Sequence, residues 1–586
     1  VKKPLALIAL AAITVCACAT TAPPVTKIVN GQVIVTRSVS PEAYEHVARA
    51  MLYEEEERWQ DAAEELQRAL PFDPDAPEVR ADLAELFIRL DRLDDAADEV
   101  ARSLATAPTV DGYLAKAHLA EAQPDETRRA AAIPALKEAA NLALEDQDPE
   151  AIERAHLELA DGQIVALDLA GALETLRRLV QAAPETLHGR VQLAAVAWPL
   201  GDLDAAAGAL HAAIDQEPND VEARLLLAEL QVARNQVKEA KDSFSSAIDR
   251  ADAPLEIADA YAGWLMLRGE EAEARDLADR LIADAGSAEA LVAASALERT
   301  VKRPDRALAL AERAQKLGAS AGQGALLIGA ALALKDDRAG ALKSYQSVAH
   351  GDAAFFESRL RAAELLREQG KFDDAARALD EAASDNGDDD RVVQIAIARS
   401  QLDEKRGDTA RAARRLDETL ARPGNADDAR LVLARAAVEE RRGDWKNALA
   451  RTDALLARHP RSVEALNFAG YVAADHGGDL ARATQRLQAA VALSPGSGGV
   501  LDSLGWAYLR AGDLARADMF LEQAGRLEPG DPEILAHLGD LYARRQERDR
   551  ALATYRKALG LKPDERVARE LGERIRTLDA KSAAGR

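Results

Sequence analysis

Cysteine is almost missing from the chain. Among 586 residues there are two, Cys16 and Cys18, so no disulfide framework holds the body together. A Cys-x-Cys pair can open a metal site, but no His or further Cys lies close enough to complete one. Aromatic residues make up only 4 %, and alternating runs of Val, Ile and Thr are nearly absent after residue 40, which excludes an extensive β architecture. A basic excess is missing too: the formal net charge is −25. Nucleic acid, whose phosphates need a basic face, is therefore not an expected partner. The acidity fits a soluble surface and, secondarily, basic partners. What is abundant is Ala, Leu, Glu and Arg, all strong helix formers, with Gly and Pro spaced at regular turns. Length alone suggests roughly four globular domains; the composition argues instead for one all-helical array.

The stretch from Leu501 to Pro563 shows why. It holds one pattern twice: Leu501, Leu504, Gly505, Tyr508, Gly512, Ala517, Leu521, Ala524 and Pro529, then Leu535, Leu538, Gly539, Tyr542, Ala551, Tyr555, Ala558 and Pro563. Ala517 and Ala551 are 34 residues apart. Small residues such as Gly505 and Ala517 let two antiparallel helices approach closely, Tyr508 and Leu521 fill the gap, and Pro529 ends the second helix. The pattern closely resembles the tetratricopeptide (TPR) repeat. One helical hairpin cannot bury its apolar face alone, so the repeat must run on.

The small residue of each second helix can be followed as Ala62, Ala96, Ala135, Ala172, Ala206, Ala240, Ala274, Ala307, Ala341, Ala375, Ala412, Ala448, Ala483, Ala517 and Ala551. The resemblance implies an all-α superhelical solenoid of about fifteen helical hairpins, closed by a capping helix and tail over 564–586. Longer spacings divide it into N-terminal repeats (41–108), degenerate repeats (109–184), middle repeats (185–385) and C-terminal repeats (386–563). Pro124, Pro134 and the Pro423-Gly424 loop mark the irregular places.

Before the array, Lys2 and Lys3 precede an apolar run, Leu5 to Val15, too short to span a bilayer. Val15-Cys16-Ala17-Cys18 resembles a bacterial lipobox, with Cys16 at −2 a departure from it. The resemblance implies a signal peptide over 1–17, lipidation at Cys18 and a tether over 18–40. With Ala19 after the cysteine, the family rule favours the periplasmic face of the outer membrane; plain secretion is the alternative. Within the tether, Ile28-Val29 and Val33-Ile34-Val35 around Asn30-Gly31 are expected to pair as a small hairpin.

No catalytic constellation emerges, and the chain is read as a non-enzyme without cofactor or metal. Gly318 to Gly324 and Pro495 to Gly499 lack the Lys-Ser/Thr of a phosphate-binding loop and are expected to be turns between repeats. Asp385 to Asp390 lacks the Gly and Glu spacing of a calcium loop. The nine histidines are scattered, His476 in a longer turn among them. Trp59, Trp264 and Trp445 are expected to pack between helices.

In the TPR family, partners lie in the groove lined by the first helices of the repeats. Carried onto this chain, the lining positions are Asn467 and Tyr471, then Asp502, Trp506 and Arg510, then Asp540 and Arg544. Trp506 beside Gly505 is expected to face the groove, flanked by Asp and Arg, as a binding hot spot; the alternative is packing against the next repeat's first helix. Elsewhere the same positions are apolar, as at Val47 and Met51, Val191 and Ala195, and Leu433 and Ala437. No Lys-xxx-Asn pair of the carboxylate-clamping kind occupies these lining positions. Leu466-Asn467-Phe468-Ala469-Gly470-Tyr471 with Leu501-Asp502-Ser503-Leu504-Gly505-Trp506 resembles outer-membrane TPR lipoproteins. One group of these binds and activates a periplasmic carboxyl-terminal processing protease. The resemblance implies a scaffold or adaptor with protein partners: such a serine protease, or a component of a pilus, exopolysaccharide-export or secretion assembly. Direct glycan binding is disfavoured by the sparse aromatics.

Overall fold

The computed structural model describes residues 25–29, 32–36, 40–123, 131–384 and 389–584. Cys16 and Cys18, the leader, most of the tether, Pro124 and Asp385 lie outside them. Two short strands, Val25–Val29 and Gln32–Thr36, pair antiparallel with Val29 opposite Gln32, the ladder expected around Asn30-Gly31. Among the described residues, fifteen helical hairpins follow, from Pro41–Glu55 with Trp59–Ala69 to Pro532–Arg544 with Arg548–Gly560, and then a last helix, Glu565–Ala584. None of these helices is long and apolar enough to cross a membrane.

Local chemistry sets the hairpins. Asx and Ser caps start the first helices: Ser462, Ser497 and Asp531 accept hydrogen bonds from the amides of Ala465, Val500 and Ile534. The turn within a hairpin holds one left-handed residue, and these recur at the repeat period. Seven are glycines, Gly201, Gly269, Gly370, Gly407, Gly443, Gly477 and Gly512; elsewhere Glu57, Asp91, Leu167, Asn235, Lys302, Asp336 and Gln546 take the same conformation against the preference of a side chain with a Cβ.

The close helix approach expected at the glycines is present. A Cβ on Gly505 would stand 2.7 Å from Leu521 Cγ, one on Gly470 2.5 Å from Leu487 Cγ, and one on Gly539 2.2 Å from the Tyr555 ring. All fifteen alanines of the second helices are buried, none more than 2 % exposed. The core is thus a line of small residues with Leu, Tyr and Phe packed between them, repeated rather than gathered in one centre. The Gly-rich stretches are only partly turns. Gly322 and Gly324 lie in helix Ala321–Leu334, and Gly498 and Gly499 open helix Gly498–Ala511, because Ser320 and Ser497 cap those helices immediately before them.

The chain forms two compact units, Val1–Leu159 and Ala160–Arg586. Within the second, the array returns on itself. Helix Leu514–Leu527 packs on the C-terminal ends of first helices that precede it by more than 250 residues. Trp198, fully buried, donates its indole N–H to Gln523 Oε1 at 2.7 Å. The Trp264 indole donates to the carbonyl of Arg526 at 3.1 Å, and the Arg526 guanidinium donates to the carbonyl of Ala233 at 2.7 Å. Leu527 joins the apolar cluster built by Tyr261, Trp264 and Leu277. Arg461 pairs with Asp161 at 2.8 Å. Gly496 lets its backbone meet Glu229: a Cβ there would come 1.8 Å from Glu229 Oε2. This seam joins repeats that are not neighbours in sequence.

Candidate functional site

Three successive first helices, Val463–Asp475, Gly498–Ala511 and Pro532–Arg544, carry the residues expected to line a groove. Their side chains form one connected polar row. The Trp506 indole stacks on the His537 imidazole, ring centres 4.3 Å apart and planes 23° from parallel. Its N–H donates to Asp475 Oδ1 at 3.2 Å, an oxygen that also takes Arg510 at 3.1 Å. The Arg510 guanidinium lies 5.5 Å from the Trp506 ring centre. On the other side, His537 Nδ1 meets Asp502 Oδ2 at 2.7 Å, and the Tyr471 ring lies 6.2 Å from the imidazole.

Of the two readings of Trp506, exposure to the groove and packing against the next repeat's first helix, the structure holds the second. Trp506 is only 8 % exposed and Asp502 6 %, because the next first helix supplies His537 as a stacking partner. The surface of the row is instead made by exposed Arg510 and Arg544 and by half-buried Asn467, Tyr471, Asp475 and Asp540. Asp540 accepts from the Tyr555 hydroxyl at 2.6 Å and pairs with Arg574 of the last helix at 3.2 Å, so that helix extends the row. His537 and Asp475 were not foreseen. A signal for them exists in the spacing: Asp475, Trp506 and His537 stand 31 residues apart in succession, a diagonal step from one first helix to the next.

Burial and neighbouring charges act together on the titratable groups of the row. Burial lowers the His537 pKa, but the Asp502 charge and its hydrogen bond override it and hold the imidazole above its usual value. Burial and the Asp475, Asp502 and Glu533 charges push the Tyr471 hydroxyl up. Asp502 Oδ1 and Asn467 Oδ1 are buried without a hydrogen-bond partner, an arrangement that costs stability unless another donor reaches them.

The other expected packing residues find aromatic or cationic neighbours. Trp59 lies under the Arg89 guanidinium at 4.8 Å. Trp445 stacks on His476, centres 5.7 Å apart, and His476 in turn meets Glu440 at 2.9 Å. Trp264 packs with Phe244 and Tyr261 and reaches the seam. In the N-terminal unit, His118 bridges Glu85 at 2.7 Å and Glu158 at 2.8 Å, and these hydrogen bonds raise it to about 10. It acts there as a fixed cation tying three first helices.

Family models for the tetratricopeptide repeat match residues 53–119, 200–262 and 508–573 and, with a second model of the same description, 438–498. Over these stretches the chain carries tetratricopeptide repeats. Members of this repeat family are generally non-catalytic scaffolds, and the TPR repeats of the all-α solenoid here indicate a scaffold for protein–protein interaction. The comparison with curated proteins found no match. Solved structures to which this TPR chain is similar include a tetratricopeptide repeat protein from Parabacteroides merdae. It is 17 % identical, with 44 % of this chain and 98 % of that one covered and a TM-score of 0.34. The structure of Naa15/Naa10 bound to HypK-THB is 14 % identical over 93 % of this chain and 98 % of that one, with a TM-score of 0.30. TTC0263, a thermophilic TPR protein of Thermus thermophilus, is 25 % identical over 32 % and 98 %, with a TM-score of 0.29.

Proposed function

We propose that the chain is a non-catalytic adaptor, held by a lipid on Cys18 at the periplasmic face of the outer membrane, that binds a protein partner on the first-helix face of its C-terminal repeats. The observation that carries the reading is the row from Tyr471 to Arg510. With its extension to Arg544, it combines a buried, stacked Trp, two exposed Arg and two half-buried Asp, and the Oδ1 atoms of Asn467 and Asp502 are left without donors. Aromatic and Arg anchors amid polar neighbours are the composition of a binding hot spot. The specific partner is a carboxyl-terminal processing protease, which the adaptor positions and activates; the support is the resemblance of residues 466–471 and 501–506 to the adaptor lipoproteins. Lipidation supplies location, and the row supplies recognition.

The test is capture from detergent-solubilised envelope with the intact chain and with Arg510→Ala and Trp506→Ala. The expected result is recovery of a serine protease whose activity rises on binding and whose capture falls at least tenfold with either substitution. Recovery of a pilus, exporter or secretin component through the same residues would overturn the protease and keep the adaptor. Equal capture by all three baits would overturn the site, and a bait that carries no lipid when made in a lipidating host would overturn the anchor.

A further inference from the structure

Away from that row, the described residues of this acidic molecule include a hollow with an arginine-rich wall. A cavity of about 380 Å³ opens between helices Phe372–Ser384, Asp389–Lys405 and Thr409–Leu420. Its walls carry Arg391, Arg399, Arg415 and Arg422 and a single acid, Glu418. Four arginines against one acid on the walls stand out in a chain whose net charge is −25, although Asp380 and Asp403 partly offset Arg399 and Arg415. An excess of like charge concentrated in one concavity has to be maintained against self-repulsion, and a low-dielectric wall focuses its field.

The arginines are held rather than loose. Arg391 lies over the Phe356 ring, 5.0 Å from its centre. Arg399 pairs with Asp380, and Arg415 donates to Asp403 Oδ2 at 3.0 Å, a carboxylate that is itself buried. Each such contact uses part of a five-donor fork and fixes the plane of the remainder. Arg399 and Arg415 each keep 26 % of the side chain exposed, so their outer N–H groups remain within reach of solvent, and Arg422 is exposed on the turn that follows. The floor is apolar, with Ile395 and Ala396 buried. Two guanidinium forks fixed by carboxylates and a third on the exposed turn, lining one hollow with a small apolar floor, suit an oxyanion, which two forks grip through paired hydrogen bonds.

We infer that this hollow binds a phosphate group, held by Arg399, Arg415 and Arg422, with the small apolar floor beneath accepting whatever the phosphate is attached to. The cavity is at the lower end of the size of small-molecule sites, which limits the occupant to a small phosphorylated molecule or a single lipid headgroup. The site is lined by residues 383–422 and shares no residue with the row proposed for the protein partner, which begins at Asn467.

The test is calorimetric titration of the full chain with inorganic phosphate at low salt, on the wild type and on Arg422→Gln and Arg399→Gln/Arg422→Gln, with circular dichroism as the folding control. Arg422 lies on an exposed turn, so its single variant keeps the fold. Saturable binding that weakens at least fivefold in the single variant, at least twentyfold in the double, and steeply with added sodium chloride is the expected result. A parallel flotation with phosphatidylcholine vesicles, with and without phosphatidic acid, names the source. Recruitment lost in the double variant assigns a lipid headgroup, and phosphate binding without recruitment assigns a soluble phosphate; either supports the site. Absence of saturable phosphate binding, or equal binding by the folded double variant, would overturn it.

Discussion

Two tryptophans of the second unit, Trp198 and Trp506, sit near the same stage of a repeat yet do different work. Trp506 stacks on His537 of the very next first helix and donates to Asp475 of the preceding one. Its partners are nearest neighbours in the array. Trp198 donates to Gln523, 325 residues away, and is wholly buried in the seam where the array returns on itself. In a solenoid, nearest-neighbour stacking is written into every repeat, whereas contact between distant repeats depends on accumulated small rotations. The same residue type therefore builds a local row in one place and a long-range seam in the other.

The comparison can be broken from either side. The largest effect is expected from Trp198→Ala, which empties a fully enclosed site. Denaturant unfolding should show a loss of about 3–5 kcal/mol, larger than for Trp506→Ala at its partly open edge. Next comes Glu229, whose carboxyl faces Gly496 across the seam and which burial raises to about 7. An acid with a folded pKa above its ordinary 4.5 gives its full stability below that value and loses it as pH rises to about 7. Glu229→Gln should therefore stabilise the chain by about 1–3 kcal/mol at pH 8 and little at pH 4, as read by thermal melts across that range.

In the N-terminal unit the pH dependence has the same sign, but the substitution destabilises instead of stabilising. His118 is raised by its two glutamates to about 10, so its contribution is complete below the ordinary 6.5 and disappears as pH climbs through about 10. His118→Gln should cost on the order of 1 kcal/mol at pH 6, reduced by solvent screening, and nothing measurable at pH 11. The smallest effect is expected at Lys302, an exposed turn residue with a φ of 57°. Lys302→Gly should stabilise by up to about 1 kcal/mol in the same assay.

The repeat architecture was legible because each hairpin repeats one physical solution. Gly505 against Leu521 and Gly539 against Tyr555 are the close approaches the residues ask for, and Ala62 to Ala551 mark every second helix. The row at Tyr471, Asp502, Trp506 and Arg510 was legible as a set, but the exposure of Trp506 was not. That exposure depends on His537, which sits one position off the register followed along the groove. The seam was beyond reach. Nothing near Trp198 in sequence names Gln523 or Arg526, since their meeting is set by the geometry of all the repeats between them.

The most direct test of the distinction is a double-mutant cycle on the chain in solution, with Trp198→Phe and Gln523→Met, each keeping bulk while removing one partner of the hydrogen bond. The account predicts a coupling energy of about 1 kcal/mol or more between residues 325 apart. Strict additivity of the two substitutions would contradict the seam, and with it the contrast between the two tryptophans.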